Sequence, residues 1–268
     1  MSIFGIVNIT EDSFSDGGLY LDINRAIAHA FELAVGGADV IDLGAASSNP
    51  NSATISAEEE ISRLRPVIAA LKAQDIAVSV DTFKPEVQRF CMEQRVDFIN
   101  DIQGFPFSEL YPELARASCK LVVMHSVQRI GMATVVETEP EEVFHSMMSF
   151  FDERITALTD AGIARERLIL DPGMGFFLGS NPESSMIALR RFDEIKQRFD
   201  LPVMIGVSRK SFLGKMTASD VTDRLAATLV AELFAYKKGA DYIRTHDVKP
   251  LVDGIRVFDS LYNTSLVE

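Results

Sequence analysis

Eight short apolar runs in this sequence end in, or lead directly into, polar residues of a few kinds. The first is G-I-V-N-I-T-E-D-S-F-S-D-G-G, residues 5–18, where one carboxamide, Asn8, sits among apolar neighbours before an acidic, glycine-ended loop. A buried amide costs free energy unless it is hydrogen-bonded, so Asn8 needs a partner. Later runs deliver Asp42, Asp81, Asn100 with Asp101, His125, Asp171, and Arg244 with His246, while Ser208, Arg209, Lys210 and Ser211 follow the seventh. Singly, each has a plain structural explanation. Asp or Asn before a turn is often an Asx-turn, His125 suits a satisfied core histidine, and Asp101 suits an internal salt bridge. Jointly they describe a ligand. A carboxylate accepts parallel N–H bonds and an Asn amide both donates and accepts, which matches the edges of a planar heterocycle. Lys210 suits a carbonyl or ring nitrogen, and Arg244 with His246 reads as a cationic pair for phosphate. Asn8 offers a neutral oxygen to Mg²⁺, an ion usually held by few protein ligands plus substrate phosphates. The expected ligand is a flat polar ring carrying phosphate.

Composition narrows the classes. The 268 residues carry 26 Lys and Arg against 39 Asp and Glu, a formal charge of −13, so nonspecific nucleic-acid binding is not expected. The two cysteines, Cys91 and Cys119, form no CxxC, and neither a disulfide framework nor a zinc site is suggested. No apolar run reaches about 18 residues, so no membrane span is expected. Little chain precedes the first strand-like run, so no signal peptide is expected and the expected compartment is the cytoplasm.

The elements that must position these residues follow one pattern. β-rich runs lie at 4–10, 39–45, 77–83, 97–103, 120–126, 167–173, 202–208 and 241–247, with helical stretches between them. Ile23, Ala26, Ile27, Ala30, Phe31 and Ala34 form an i, i+3, i+4 stripe, as do Leu225, Leu229, Leu233 and Tyr236. The phrases GGADV and KGADY each put Gly-Ala-Asp between a helix and the next strand, where Gly suits a C-cap. Eight strands alternating with eight helices predict one α/β domain over residues 1–268, a single (β/α)8 TIM barrel with its site at the C-terminal face of the strands. A doubly wound open sheet has the same periodicity. The loops at 10–20, 45–57, 127–140 and 174–184 are long, and all four follow strands.

The motifs resemble a family. N-I-T-E-D-S-F-S-D-G-G, S-V-D-T (79–82), N-D-I (100–102), D-P-G-M-G-F (171–176), S-R-K-S (208–211) and R-T-H-D (244–247) are similar, in order and spacing, to those of dihydropteroate synthases. The resemblance covers essentially the whole chain. It implies that p-aminobenzoate displaces pyrophosphate from a dihydropterin bearing a hydroxymethyl pyrophosphate, giving 7,8-dihydropteroate, with Mg²⁺ on the leaving group. It implies that Asp81, Asn100, Asp171 and Lys210 hold the pterin. Asn8 would bind Mg²⁺ and pyrophosphate, and Arg244 and His246 pyrophosphate. Asp16 would close over the site and face the developing cation, and Phe14 would exclude water, with Asp16, Lys210 and Phe14 as the catalytic set. Ser48, Pro50, Phe176, Phe177 and Ser211 would contact p-aminobenzoate. A homodimer is the family's usual state, and the last helices are apolar enough to allow it.

Two departures stand out. The second loop reads G-A-A-S-S-N-P, so Asn49 stands where the family usually has Arg. The sixth reads D-P-G-M-G-F-F-L-G-S-N-P: it is longer, contains Phe177 and Leu178, and lacks the usual Lys. Both resemble the sulfonamide-insensitive subgroup carried on mobile elements, and Phe177 and Leu178 are expected at the mouth of the arylamine pocket. Two other readings stay open: a pterin-binding methyltransferase barrel with a corrinoid partner, and a non-catalytic pterin-binding protein.

Overall fold

The computed structural model describes residues 1–9, 18–46, 55–129 and 136–262, with side chains described from 23 in the second stretch. Among the described residues eight strands appear in chain order: β1 (Ser2–Asn8), β2 (Val40–Gly44), β3 (Ala77–Asp81), β4 (Phe98–Asp101), β5 (Lys120–Met124), β6 (Leu168–Asp171), β7 (Met204–Ile205) and β8 (Tyr242–Thr245). Each neighbouring pair is parallel, in the order β6-β5-β4-β3-β2-β1-β8-β7. A bridge between Leu170 and Val203 joins the two ends, with the Leu170 N–H donating to Pro202 O at 2.9 Å. The sheet therefore closes, and the barrel is the fold rather than the open sheet.

The described residues contain nine α-helices rather than eight: α1 (Gly18–Val35), α2 (Ala57–Lys72), α3 (Pro85–Glu93), α4 (Tyr111–Arg116), α5 (Pro140–Asp160), α6 (Pro182–Phe199), α7 (Ser211–Thr217), α8 (Leu225–Lys237) and α9 (Val248–Tyr262). The addition is α7, a short helix entered directly from the S-R-K-S turn. Among the described residues, no helix is long and apolar enough to cross a membrane.

Side chains alternate between the two faces of a strand, and this alternation builds the site. Inward positions at the start of the strands are large and apolar. Phe4, Val40, Phe98, Val122, Ile169 and Met204 form a separate buried cluster inside the barrel. Phe4 meets Phe98 edge-on at 4.9 Å and Tyr242 at 5.5 Å. Two residues further along β2, β4, β6 and β8 the same face carries Asp42, Asn100, Asp171 and Arg244; on β3, Asp81 follows at four residues from Ala77. A hydrophobic plug thus lies beneath a polar layer. The opposite face carries Ile41, Leu43, Val78, Val80, Ile99, Leu121, Val123, Leu168 and Leu170, which bury against the helices.

The Gly-Ala-Asp phrases act at both ends of their junctions. Gly37 (φ 104°) and Gly239 (φ 85°) turn the chain out of α1 and α8. The following N–H groups of Ala38 and Ala240 close back on Leu33 O and Ala235 O. The aspartate then ties the start of a neighbouring strand: Asp39 Oδ2 accepts from Ile3 N at 2.7 Å, and Asp241 Oδ2 from Val203 N at 2.8 Å.

The stripe expected on α8 lies beside the face that meets the barrel. The face of α8 against the barrel consists of Thr228, Ala231, Glu232 and Ala235, whereas Leu225 is exposed. Small residues allow close approach to the barrel wall. The larger apolar row turns toward α9, where Leu229 packs over the bare Cα of Gly254.

Candidate active site

The polar layer opens into a cavity lined by Asp81, Asp171, Lys210 and Arg244 on its polar side and by Ile102, Met124, Met174 and Phe177 on its apolar side. Arg244 organises the floor. Its Nε donates to Asp42 Oδ2 at 2.5 Å and its Nη2 to Asp81 Oδ2 at 2.7 Å. Burial works against the guanidinium charge, but Asp42 and Asp81 overcome it and hold Arg244 further up than usual. Asn100 is 1% exposed, and its Oδ1, like Asp42 Oδ1, has no hydrogen-bond partner among the described residues. Both are buried acceptors left open to a further donor.

Asp171 comes from the end of β6, where Gly173 (φ 68°) turns the loop. The Gly173 N–H donates to Asp171 Oδ1 at 2.7 Å. A side chain at Gly173 would strike His125 O, so only glycine permits this turn. Burial pushes Asp171 up to about 6, against the pull of Gly173, Arg244 and Lys210. Burial likewise raises Asp81 to about 6, opposed first by Arg244. Burial, with Arg244 beside it, lowers Lys210 to about 8. The cavity therefore holds acids and a base whose charges the protein alone does not fully satisfy.

Lys210 is aimed by the turn before it. Arg209 takes a left-handed conformation (φ 57°), its N–H donates to Thr228 Oγ1 at 3.0 Å, and its guanidinium grips Asp247 at 2.6 and 3.0 Å. Arg209 is thereby turned outward and Lys210 inward. The Lys210 ammonium lies 5.1 Å from the centre of the Phe177 ring, and its chain crosses the bare Cα of Gly175.

His246 does not add a second positive charge beside Arg244. Burial, with Arg209 and Arg244 nearby, lowers it to about 3, so the imidazole is neutral. Its backbone N–H donates to Ser208 Oγ at 3.1 Å and its Nδ1 lies 3.0 Å from the same hydroxyl. Arg244 and His246 therefore form a cation with a neutral partner, not a doubly cationic cluster.

Asn8 ends β1, exposed and in register with Gly44. Among the described residues no cluster of three or more His, Cys, Asp or Glu could hold a metal. A lone neutral oxygen fits Mg²⁺ carried largely by substrate phosphates, not a protein cage.

The sixth loop separates its two phenylalanines. Phe177 is 6% exposed and packs with Ile102 and Met124 in the inner cavity. Phe176 is 36% exposed and lines an adjoining groove with Ser211, Asn181 and Lys215. Leu178, expected at a pocket mouth, is fully buried in the core between barrel and helices. Phe14, Asp16, Ser48, Asn49 and Pro50 lie outside the described residues.

His125 is fully buried, edge-on to Phe150 at 5.2 Å, and absent from the cavity wall: it is a core histidine. Asp101 faces away from the cavity, accepting from the N–H groups of Gln103 and Phe105 and from Gln88 Nε2. Asp42, counted at the strand rim in the sequence but given no role there, supports the site by holding Arg244. Its place one inward step above Val40 was the available signal.

The chain from residue 4 to 246 matches the family of pterin-binding enzymes. It is 69% identical to the type-3 dihydropteroate synthase of Escherichia coli, over 97% of this chain and 98% of that one. The chain belongs to the dihydropteroate synthase family. It is also 55% identical to the type-2 dihydropteroate synthase of Escherichia coli, covering 99% of this chain and 97% of the other. Among solved structures, the dihydropteroate synthase of Xanthomonas albilineans with 4-aminobenzoic acid superposes with a TM-score of 0.89 at 35% identity, covering 98% and 93% of the two chains. Dihydropteroate synthases are transferases, and the expected fold and family stand.

A stability prediction follows from Asp171. Its carboxyl titrates near 6 when folded instead of the ordinary 3.8. Below about pH 3 it is protonated in folded and unfolded chains alike and the shift costs nothing. As pH rises through 6 the folded chain must carry a disfavoured charge, and the cost becomes full. Asp171→Asn should therefore stabilise the ligand-free protein by about 3 kcal/mol at pH 8 and by almost nothing at pH 3. Urea unfolding at both values checks this, and an equal effect at both would exclude it.

Proposed function

We propose that this transferase condenses 6-hydroxymethyl-7,8-dihydropterin pyrophosphate with p-aminobenzoate to give 7,8-dihydropteroate and pyrophosphate, in the cytoplasm, as one pterin-binding domain over residues 1–268. One observation carries the reading: Asp171, Asp81 and Lys210 share a single buried cavity with Arg244, and Asn100 beside it keeps an unpartnered acceptor. The relatives favour this synthase reading over the methyltransferase and non-catalytic readings.

The residues divide the work. Asp171, Asp81 and Asn100 accept the pterin's N–H groups, which gives Asn100 Oδ1 the partner it lacks. Lys210 donates to the carbonyl side of the ring. Arg244, taken up by Asp42 and Asp81 in the free protein, shares Asp81 with the ligand and turns part of its fork toward phosphate. His246 offers a neutral N–H to the same anion. Asn8 would hold Mg²⁺ together with the pyrophosphate, and the charge neutralisation that such an ion supplies would fall on the leaving group. The C–O bond then breaks with its electron pair leaving on pyrophosphate, and positive charge spreads into the ring. Asp16 faces that charge, and Phe14 excludes water. Fixed charge set against a developing charge is commonly the largest catalytic contribution. The arylamine nitrogen forms the new C–N bond and loses a proton. Ser48, Pro50, Phe176, Phe177 and Ser211 contact p-aminobenzoate, the compound present with the Xanthomonas relative.

Lys210→Met should leave the fold intact and lower kcat/KM by about 30–1000-fold, the loss of one charge-assisted hydrogen bond worth roughly 2–4 kcal/mol in a dry site. Steady-state pyrophosphate release with circular dichroism measures both. Near wild-type turnover would remove Lys210 from the site.

The same reading makes this synthase insensitive to sulfonamides. p-Aminobenzoate ends in a small planar carboxylate, whereas a sulfonamide ends in a tetrahedral sulfonyl with a further substituent. Phe177 stands between Lys210 and the apolar wall, and an aromatic ring there can reject the bulkier ligand while admitting the smaller. Phe177→Gly should lower the sulfonamide inhibition constant at least tenfold, about 1.4 kcal/mol, and change the KM for p-aminobenzoate much less. Equal inhibition of both proteins defeats the assignment.

A homodimer completes the proposal. Leu225, Val230 and Phe234 on α8 and Val257, Leu261 and Tyr262 on α9 are exposed and apolar, on helices that pack against each other. Large exposed apolar patches mark interaction surfaces. Sedimentation should give a dimer for the wild type and a monomer for Val230→Asp with Leu261→Asp. A monomeric wild type rules the proposal out.

A further inference from the structure

The outer groove beside Phe176 holds a cation without a counter-ion. Phe176 and Ser180 of the sixth loop, Asn181 and Ser185 at the start of α6, and Ser211 and Lys215 of α7 form its walls. Among the described residues that line it, Lys215 alone is charged. Ser211 and Lys215 stand four residues apart in one helix, so they share a face and lie about 6 Å apart along its axis. Lys215 Nζ donates to Ser180 O at 2.8 Å, which ties α7 to the sixth loop across the groove and fixes the place of the charge. An ammonium has three donors, and this bond takes one. Among the described residues no carboxylate takes the other two. Glu183, just past the Asn181 cap of α6, accepts from Arg190 instead.

This combination suits an anion carried on an aromatic ring. The Phe176 ring offers an apolar face, and the Ser211 hydroxyl makes no hydrogen bond among the described residues. Ser211 follows Lys210, which lines the inner cavity, whereas Lys215 lies one turn further along α7. A flat ring whose amine points toward the inner cavity therefore carries its opposite substituent toward Lys215. In p-aminobenzoate that substituent is a carboxylate. With 26 basic against 39 acidic residues, the field of the whole chain disfavours an anionic substrate, so a cation placed in the groove itself counts for more. Lys215 is solvent-exposed, which holds its effect to that of a surface ion pair and makes it sensitive to salt.

We propose that Lys215 is a specificity-determining residue: it meets the carboxylate of p-aminobenzoate at the outer end of the groove and selects that anion over uncharged arylamines of the same shape. This rests on the assignment of p-aminobenzoate to the groove with Phe176 and Ser211, and the test separates the two. The probe is p-aminobenzamide, in which an uncharged amide of nearly the same shape replaces the carboxylate. Lys215→Gln should raise the KM for p-aminobenzoate about threefold to fivefold at low ionic strength, with kcat unchanged. The inhibition constant of p-aminobenzamide should stay the same, and Lys215→Arg should restore the KM. In the wild type the KM should rise between about 20 and 300 mM NaCl, and in Lys215→Gln this rise should be absent. Lys249→Gln removes the same charge from α9, where Lys249 pairs with Asp253, and should leave the KM as it is, which separates the groove charge from the overall field. Equal weakening of p-aminobenzoate and p-aminobenzamide in Lys215→Gln overturns the proposal, since the lysine would then only prop the groove. An unchanged KM in Lys215→Gln overturns it as well. If Ser211→Ala raises the KM all the same, p-aminobenzoate keeps its groove and only the lysine loses its role; if neither variant moves it, the assignment to the groove falls too. Absence of turnover in the wild type overturns the synthase reading and this role with it.

Discussion

The guanidinium of Arg244 between Asp42 and Asp81 is the interaction on which the rest of this site depends. Three carboxylates, Asp42, Asp81 and Asp171, converge in one closed barrel with Arg244 and Lys210. Two unit charges about 4 Å apart interact by roughly 4 kcal/mol at an effective dielectric constant near 20. Without Arg244 the acids would oppose one another as well as their own desolvation, and protonation would be the outcome. With it, Asp42 is matched and Asp81 is partly matched. Such buried pairs rarely stabilise a fold against an apolar replacement. Their cost is met by the plug under Phe4 and the helix-side core, so the polar layer is retained for what it binds.

Register makes that arrangement possible. In a parallel barrel every strand is buried on both faces, and a shift of one residue exchanges them. The Asp39 and Asp241 carboxylates pin strand starts, and the glycines before them end the helices at a fixed point. Two residues above the plug, Asp42 and Arg244 can only point inward. The precision of the site therefore begins at the opposite end of the barrel, far from any ligand.

The architecture was legible because period 2 and period 3.6 alternate through the chain without interruption. Closure was not: it rests on one bridge at Val203, where β7 is only two residues long, too short to carry a pattern. The family motifs marked Asp81, Asn100, Asp171, Lys210 and Arg244, all of which the barrel brings to one rim. They did not reveal that Arg244 is already engaged, because a salt bridge across 202 positions of sequence leaves no local signature. Nor did they reveal that His246 is neutral, since its charge is decided by burial and by Arg209 and Arg244. The α8 stripe marked its helix but not the neighbour it meets. Periodicity finds an apolar face but not whether that face meets the barrel, another helix or a second subunit.

The sixth loop shows how one turn can face two hollows. Phe176 and Phe177 are adjacent in a single short 3₁₀ turn, Gly175–Leu178, yet one lines the outer groove and the other the inner cavity. The turn is not free to tilt: Phe177 O accepts from Val127 N at 2.9 Å, Leu178 O from Thr138 Oγ1 at 3.0 Å, and Leu178 is buried in the core. The Lys210 ammonium faces the Phe177 ring at 5.1 Å. A change in this turn must therefore act on both ligand positions at once, through the ring it presents to Lys210 and the ring it presents to the groove. A longer, more apolar turn alters which molecule fits the groove while Lys210 stays in place, because the lysine is held from its other side by Arg209, Thr228 and Asp247. Selectivity and catalysis then rest on different supports, which is the condition for changing one without losing the other.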